Sequence, residues 1–360
     1  MRLYRPILLA AVPGLVFCIV PVPGISLRLS FQLASIWLAA AVFTSVLTSW
    51  WWRAFFVLAL AQAVSEAPAL HVYMPLLMIA VFLAAAQGFS KIRHVQVMNA
   101  MRVAALMLTA WIVLQRLGAV TDFNMGNQVA GPLNADAAGV FLALCLPAFI
   151  RYGLIPLAAV VVIGLFLCAS TTAMIAASTG IVFFIFLWRW PGVTDSGGRF
   201  AIRAISLMVV IAGMMVFFQI FDPIENTLQC PRWQAWKHIA WSFRSEAFGR
   251  GLGSFQDIFP LLISGDARLS SMGWWKHAHN EYLQAAFEMG LQVMVLIVAY
   301  LLAFGYRAWQ IRKSLSREQC TVIAGITTLA VSCLGWHTFH VAPLALLGVA
   351  WLGLAHREII

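Results

Sequence analysis

Long apolar runs recur along nearly the whole chain, and no other feature restricts its possible folds as much. Hydrophobic residues make up 62% of the sequence and charged residues only 10%, whereas a soluble globular domain carries about a quarter charged residues. Because lipid offers no hydrogen-bond partner to an open backbone, continuous apolar runs predict transmembrane helices. The alternating pattern of a transmembrane β-barrel is not what the sequence has.

The sequence therefore predicts an all-α fold, a polytopic transmembrane helical bundle of about twelve spans. A span needs roughly 17–25 mostly apolar residues. This length places spans near 7–23, 30–48, 52–66, 72–89, 97–117, 135–150, 152–169, 172–190, 202–221, 282–305, 320–336 and 340–356. Spans 1–9 occupy residues 1–221, one large outer loop occupies 222–281, and spans 10–12 occupy 282–360.

The formal charge of +10 fits positively charged inner loops and does not call for a nucleic-acid partner. With the N-terminus inside, fifteen Lys and Arg residues fall at cytoplasmic ends, whereas the short outer loops hold only Arg28 and Arg116. The other six lie in the long loop, and long loops follow the positive-inside rule only weakly. The bias predicts a bacterial inner-membrane protein with both termini cytoplasmic and the long loop periplasmic.

Residues 232–248 of the long loop place Trp236, Ile239, Ala240, Phe243 and Ala247 at helical spacing. This pattern predicts an amphipathic helix, which either lies at the membrane surface or packs on the transmembrane bundle. A glycine-rich turn follows, Gly249–Phe255, in which glycine permits tight bends and close backbone approach.

The most polar stretch is Lys276–Gly290. His279 stands at the outer mouth of the tenth predicted span and is a candidate general base, because its unperturbed pKa of about 6.5 is near working pH. The alternative is an interfacial histidine bonded to backbone. His277 lies two residues away and would face elsewhere on a helix, so a two-histidine metal site is not expected.

Other polar residues near this stretch also have two readings. Glu288 shares a helical face with Glu281 and lies inside a predicted span, which makes it a candidate site residue or the structural partner of an arginine. His337 and His340 fall in a short outer loop on the same side as His279. They either line the same cavity or belong to the interfacial structure.

The cysteines do not predict a disulfide framework or a zinc site, since neither metal-ligand spacing nor paired loop cysteines are found. No cofactor is expected. Five of the six lie in apolar runs: Cys18, Cys145, Cys168, Cys320 and Cys333, with Cys230 in the long loop.

Together these motifs resemble the O-antigen ligase and polymerase-like superfamily of bacterial glycosyltransferases, over roughly residues 120–305. The resemblance rests on four features in order. They are a Gly-x-x-Asn-type loop leading into a middle span within Gly131–Phe149, Arg232 with Trp236, the Gly251–Phe255 turn, and His279-Asn280 followed after nine residues by Gly290. The predicted topology, with the main outer loop between spans 9 and 10, is similar too.

The resemblance implies a metal-independent, inverting transfer of a glycan from a polyprenyl-diphosphate carrier to an acceptor hydroxyl at the periplasmic face. His279 would be the catalytic base. Arginines would hold the diphosphate bidentately, and the predicted substrate-binding residues are Arg232 first, then Arg244 and Arg250, with Asn280 and Glu288.

One departure from the family pattern is Thr172, which stands where the family often has an arginine thought to help hold the donor.

The acceptor stays open between a lipid core (ligase), a growing glycan (polymerase) and a protein hydroxyl (O-oligosaccharyltransferase). Two rival functions remain, a transporter and a non-catalytic scaffold of an envelope assembly machine. A transporter predicts internal repeats and midplane ionisable residues, whereas most polar residues here gather at one outer face.

Overall fold

The computed structural model describes residues 53, 79, 83–119, 133–149, 154–188, 231–270, 275–312 and 314–360. Within these ranges the regular elements are helices without strands, which confirms the predicted all-α class there. The α-helices are α1 (His94–Arg116), α2 (Ala135–Cys145), α3 (Ile155–Cys168), α4 (Thr171–Trp188), α5 (Pro231–Ser242), α6 (Phe255–Leu262), α7 (Ala267–Ser270), α8 (Glu281–Met289), α9 (Leu291–Gln310), α10 (Arg317–Gly335) and α11 (Ala342–Glu358). Short 3-10 helices cover Leu146–Phe149 and Thr338–His340.

Three of the described helices, α1, α9 and α10, are long and apolar enough to cross a membrane. Helices α1 and α10 correspond to the spans predicted at 97–117 and 320–336, and α2, α3, α4 and α11 correspond to those at 135–150, 152–169, 172–190 and 340–356. The spans predicted at 7–23, 30–48, 52–66, 72–89 and 202–221 lie wholly or largely outside the described residues.

The tenth span was predicted as one helix over 282–305, and this is wrong. The structure has two helices there, α8 and α9, separated at Gly290. Gly290 has a φ of +86°, which cannot continue an α-helix. Hydropathy alone did not reveal the break, because the residues on both sides are apolar and form helices.

The chain divides into two compact units. The first contains Pro231–Ala278 and Tyr282–Leu301. The second contains the described helices α1–α4 together with His279–Glu281 and Leu302–Ile360.

In the second unit, helices approach closely where one of them carries a glycine. A methyl group at Gly180 of α4 would overlap Thr328 of α10, and one at Gly325 of α10 would overlap the ring of Trp351 on α11. Small residues allow such close packing between membrane helices, where van der Waals contact drives association. The buried Trp351 also donates its indole N–H to the carbonyl of Leu144 at 2.9 Å.

The first unit has an aromatic core of its own, built around α5, α6 and α8. The Phe255 ring lies 4.7 Å from that of Phe259 in a stacked pair, and 5.2 Å from that of Phe287 in an edge-to-face pair. All three side chains are fully buried. Offset-stacked and edge-to-face pairs contribute beyond simple burial of area, so this core fixes the polar segments around it.

The amphipathic helix predicted over 232–248 is α5, which ends earlier, at Ser242. Ile239 is buried, and Trp236 and Phe243 pack on the aromatic core. Ala240 is instead exposed, because the inward face is centred on Ala235 and Ile239. In the first unit, therefore, α5 packs against protein through its apolar side.

We predict that Gly325→Ala destabilises the protein by about 1–3 kcal/mol, the usual cost of overpacking a core, because the added methyl group overlaps Trp351. The matched control is Gly305→Ala in α9, where nothing lies within 4 Å of the added methyl. Thermal unfolding of both variants in detergent measures the difference. Equal melting temperatures would contradict the packing described here.

Candidate functional site

The helix break at Gly290 is the centre of the first unit's polar structure. A β-carbon at Gly290 would overlap the Phe248 carbonyl oxygen and the Gln292 side chain. The left-handed φ and the lack of space both require glycine. The final Gly of the His-Asn motif thus has a backbone explanation that does not involve substrate.

The glycine-rich turn after α5 fits into this break. Three backbone hydrogen bonds join them: Arg250 N–H to Phe287 O at 3.0 Å, Gly251 N–H to Glu288 O at 3.0 Å, and Leu291 N–H to Ala247 O at 2.8 Å. At Gly249 (φ +97°) a β-carbon would lie 2.5 Å from the backbone nitrogen of Gly290. The turn therefore satisfies backbone groups that the interrupted helix leaves open.

A buried hydrogen-bond network extends from the turn to the residue before His279. Its members run in series: Gly253 N–H to Glu288 Oε2 at 2.8 Å, Gln284 Nε2 to Glu288 Oε1 at 3.1 Å, Ala278 N–H to Gln284 Oε1 at 3.1 Å, and Trp236 Nε1 to Ala278 O at 2.7 Å. Glu288 is 7% exposed and both of its carboxylate oxygens accept bonds in this network. Glu288 thus belongs to the hydrogen-bond network of the first unit, and its predicted part in substrate binding stays a prediction.

The three predicted arginines all lie in the first unit, near opposite ends of α5. Arg232 is its second residue, and Ser242, where the helix ends, lies about 15 Å further along the axis at 1.5 Å per residue. Arg250 bonds to Ser242, and Arg244 lies over the Trp241 ring at 3.7 Å. Helix α5 thus separates Arg232 from the other two.

Arg250 closes the C-terminal end of α5. Its guanidinium donates to the Ser242 hydroxyl and to the Ser242 carbonyl, each at 3.2 Å, and lies 4.8 Å from the Phe287 ring centroid. Burial lowers the pKa of Arg250, and the Glu246 carboxylate opposes that effect. The guanidinium still carries its charge, because arginine is not deprotonated in proteins.

His279 lies in the second unit, among aromatic rings. Its ring centroid is 4.8 Å from that of His337 and 5.2 Å from that of Trp336, and the Trp336 and His337 rings stack at 4.2 Å. Its backbone φ is +53°, a left-handed conformation that is uncommon for residues other than glycine. We call His279, Trp336, His337 and His340 the histidine cluster.

Within the second unit, Glu281 contacts this cluster. Its carboxylate accepts a hydrogen bond from the Phe339 backbone N–H and lies 3.3 Å from Nδ1 of His340. Because Glu281 follows His279 by two residues, the contact fixes the backbone that carries the candidate base. His337 and His340 were expected either to line a cavity with His279 or to be structural, and the structure places His337 directly against it.

Thr172 lies next to the same cluster. Its hydroxyl donates to the Gly335 carbonyl at 3.5 Å, and a methyl group at Gly335 would be 2.7 Å from that hydroxyl oxygen. Gly335 immediately precedes Trp336 and His337. A small neutral side chain therefore stands beside the histidine cluster at the position where the resemblance led us to look for an arginine.

Asn280 is 6% exposed and, like His279, belongs to the second unit.

Sequence reasoning did not select Gln284 or Trp336. Gln284 falls four residues before Glu288 on α8, which is the helical spacing that signals a side-chain pair. Trp336 adjoins His337, but its contact with His279 joins positions 57 residues apart and had no sequence signal.

The chemistry available at the histidine cluster is proton transfer. A neutral imidazole can accept a proton from a hydroxyl. Among the described residues there is no group of three or more His, Cys, Asp or Glu side chains that could hold a metal ion.

Comparison with known families agrees with the sequence motifs. A family model described as O-antigen ligase matches residues 156–298, which is less than half of the chain. The matched segment contains Thr172, the glycine turn, His279 and Gly290. It confirms the resemblance to O-antigen ligases over that segment. No curated protein matches the chain in sequence.

We predict that Glu288→Ala lowers the stability of the protein by about 1–3 kcal/mol for each buried donor left without its acceptor, namely the Gly253 N–H and the Gln284 amide. Glu246→Ala, at an exposed glutamate of the same unit, is the matched control. Thermal unfolding in detergent measures both. An unchanged melting temperature with an altered KM would instead assign Glu288 to substrate binding.

Proposed function

We propose that the protein is a membrane glycosyltransferase of the O-antigen ligase type, with His279 as its general base. It would transfer a glycan from a polyprenyl-diphosphate carrier to an acceptor hydroxyl at the periplasmic face of a bacterial inner membrane. The family match over residues 156–298 supports the enzyme class, and the apolar helices support the membrane location.

The observation that carries the proposal is the setting of His279. Its ring is held against His337 and Trp336, and its backbone takes up a left-handed conformation that costs on the order of 1 kcal/mol for such a residue. Strained residues of this kind cluster at active sites, where the surrounding structure enforces their orientation. Glu281 and the Ala278 hydrogen bonds fix the chain on both sides of it.

The proposed reaction is a single displacement. The acceptor oxygen attacks the anomeric carbon, its proton passes to the His279 imidazole, and the bond from the anomeric carbon to the diphosphate oxygen breaks. The electron pair leaves with the polyprenyl diphosphate. Such a displacement inverts the anomeric configuration.

We assign to arginine the role of neutralising the negative charge on the departing diphosphate. Guanidinium groups bind phosphate oxygens bidentately and keep their charge at every relevant pH. Arg232 remains the first candidate, because the resemblance places an arginine at the start of the large outer loop, and Arg244 and Arg250 follow it. Asn280 is proposed to bind substrate through its side-chain amide. Glu288 is retained as a substrate-binding candidate only if the stability test above fails.

We predict that His279→Asn and His279→Ala each lower transfer by about 10²–10⁴-fold, the usual contribution of a general base. Asn tolerates the left-handed conformation better than Ala, so a similar loss in both separates chemistry from backbone strain. Purified protein in liposomes would receive a polyprenyl-diphosphate oligosaccharide and three acceptors: lipid A-core, the same oligosaccharide, and a Ser-rich protein. Transfer to one of them identifies the branch.

The matched control for this experiment is His238→Ala, since His238 pairs with Asp266 at 3.3 Å in the first unit, outside the histidine cluster. It is expected to keep transfer within a few-fold of the unmodified protein. Full activity in His279→Asn would overturn the assignment of the base. A folded protein that transfers to none of the acceptors would favour the transporter or scaffold functions.

For the arginines we expect Arg232→Gln to raise the donor KM, with partial recovery in Arg232→Lys, because lysine restores the charge without the bidentate geometry. Arg250→Gln is expected to lower the melting temperature as well, since it removes two hydrogen bonds to Ser242. Steady-state kinetics and thermal unfolding on the same preparations distinguish the two roles. An unaltered donor KM in Arg232→Gln would move diphosphate binding elsewhere.

A further inference from the structure

The second unit contains a pocket of about 380 Å³ between α1, the Leu146–Phe149 turn and α10, away from the histidine cluster. Its charged lining residues are Arg93 and Arg102 from near the start of this unit and Arg317 and Glu318 from near its end, and His94 lines it as well. Three guanidinium groups and one carboxylate give the pocket an excess of positive charge. Neither the proposed transfer reaction nor the family resemblance uses these residues.

The arginines are held around this pocket by the fold. Arg102 donates from Nε to the Ala148 carbonyl at 2.7 Å and from Nη1 to Asn99 Oδ1 at 2.6 Å. Arg317 is the first residue of α10 and is half-buried. Arg357, from the end of α11, donates to the Ile92 carbonyl at 2.5 Å, next to Arg93. Arg102 is thus fixed by its bonds, Arg93 is exposed, and Arg357 is not part of the pocket lining. Three guanidinium groups on one pocket suit a phosphate group, which they can bind through several N–H donors at once.

The N-terminal end of α1 adds to the positive electrostatic potential of the pocket. Arg93 is its N-cap residue and provides no side-chain acceptor, and no acidic residue lies in the first turn. The positive end of the helix dipole is therefore not neutralised by α1 itself, and this end favours anions.

The pocket adjoins an apolar, exposed helix surface. Val95 lines the pocket and is 47% exposed, and further along α1 Val103 and Met107 are 58% and 69% exposed. A ligand with a phosphate group and acyl chains would place the phosphate among the arginines and the chains along this side of α1. A soluble phosphate compound would contact only the arginines and not the apolar surface of α1.

The pocket and the histidine cluster lie at opposite ends of α10. Arg317 begins this helix, and Gly335, its last residue, is followed directly by Trp336 and His337. Nineteen residues span about 28 Å, close to the roughly 30 Å of a bilayer's hydrocarbon core. If α10 crosses the membrane, the pocket opens at the face opposite the histidines.

We propose that this arginine pocket binds the phosphate headgroup of an anionic phospholipid at the membrane face opposite the histidine cluster. Basic pockets between transmembrane helices bind anionic headgroups through the same charges. The lipid would bridge α1, α10 and the Leu146–Phe149 turn, and would act as a structural ligand of the second unit. The site is independent of the proposed transfer reaction.

The test measures lipid binding to the full chain in detergent by native mass spectrometry. The probes are short-chain phosphatidylglycerol, phosphatidylcholine with the same chains, and glycerol 3-phosphate. We expect selective binding of phosphatidylglycerol. In Arg93→Gln/Arg317→Gln its affinity should fall about 30-fold, since each basic residue near an anionic headgroup contributes about a factor of five. Arg102 is left in place, because it also bonds to Ala148.

Two further variants make the result specific. Arg307→Gln/Arg312→Gln removes two arginines outside the pocket, near the end of α9, and should leave the affinity unchanged. Glu318→Gln removes the pocket's carboxylate and should strengthen binding about fivefold. Equal affinity of the unmodified protein and Arg93→Gln/Arg317→Gln would overturn the site. Equal affinity for glycerol 3-phosphate and phosphatidylglycerol would overturn the lipid as its ligand.

Discussion

The interrupted helix at Gly290 is the constraint on which the first unit depends. Ending α8 there opens backbone groups that cannot remain unsatisfied in a buried setting, and the turn that begins at Gly249 supplies their partners. Both residues must be glycine, because each has a positive φ and the two backbones meet with no room for a β-carbon. The glycine-rich turn and the helix break at Gly290, about forty residues apart in sequence, therefore form one structural unit of paired backbone groups.

Side chains next to this turn and helix break also fix the segment that leads to the candidate base. Glu288 joins the glycine turn to Gln284, and Gln284 holds the backbone of Ala278, the residue before His279. In the second unit, Glu281 anchors the residues after His279 through Phe339 and His340. Polar residues that hydropathy marks as costly in an apolar chain thus position one another, which is a common use of satisfied buried networks.

Sequence reasoning predicted the helix that forms α5 and several of the other described helices, since each depends on local pattern or on short spacing. It missed the helix break, because the positive φ of Gly290 depends on a turn far away in sequence. It named Glu288 as a candidate site residue or a structural partner, since an ionisable residue in an apolar run is a default site candidate. In the structure it accepts from the Gln284 amide, a pairing that its helical spacing allows, and from the Gly253 backbone N–H, 35 residues away, which no spacing rule could assign.

The sequence by itself determined the membrane character, the all-helical class and the residue types at the candidate site, because these follow from composition and local periodicity. Only the tertiary structure decided which side chains meet. The contacts of His279 with Trp336 and His337, of Thr172 with Gly335, and of the glycine turn with the helix break join distant positions. Such contacts arise from packing and from the need to satisfy buried polar groups, and neither leaves a local trace in the sequence.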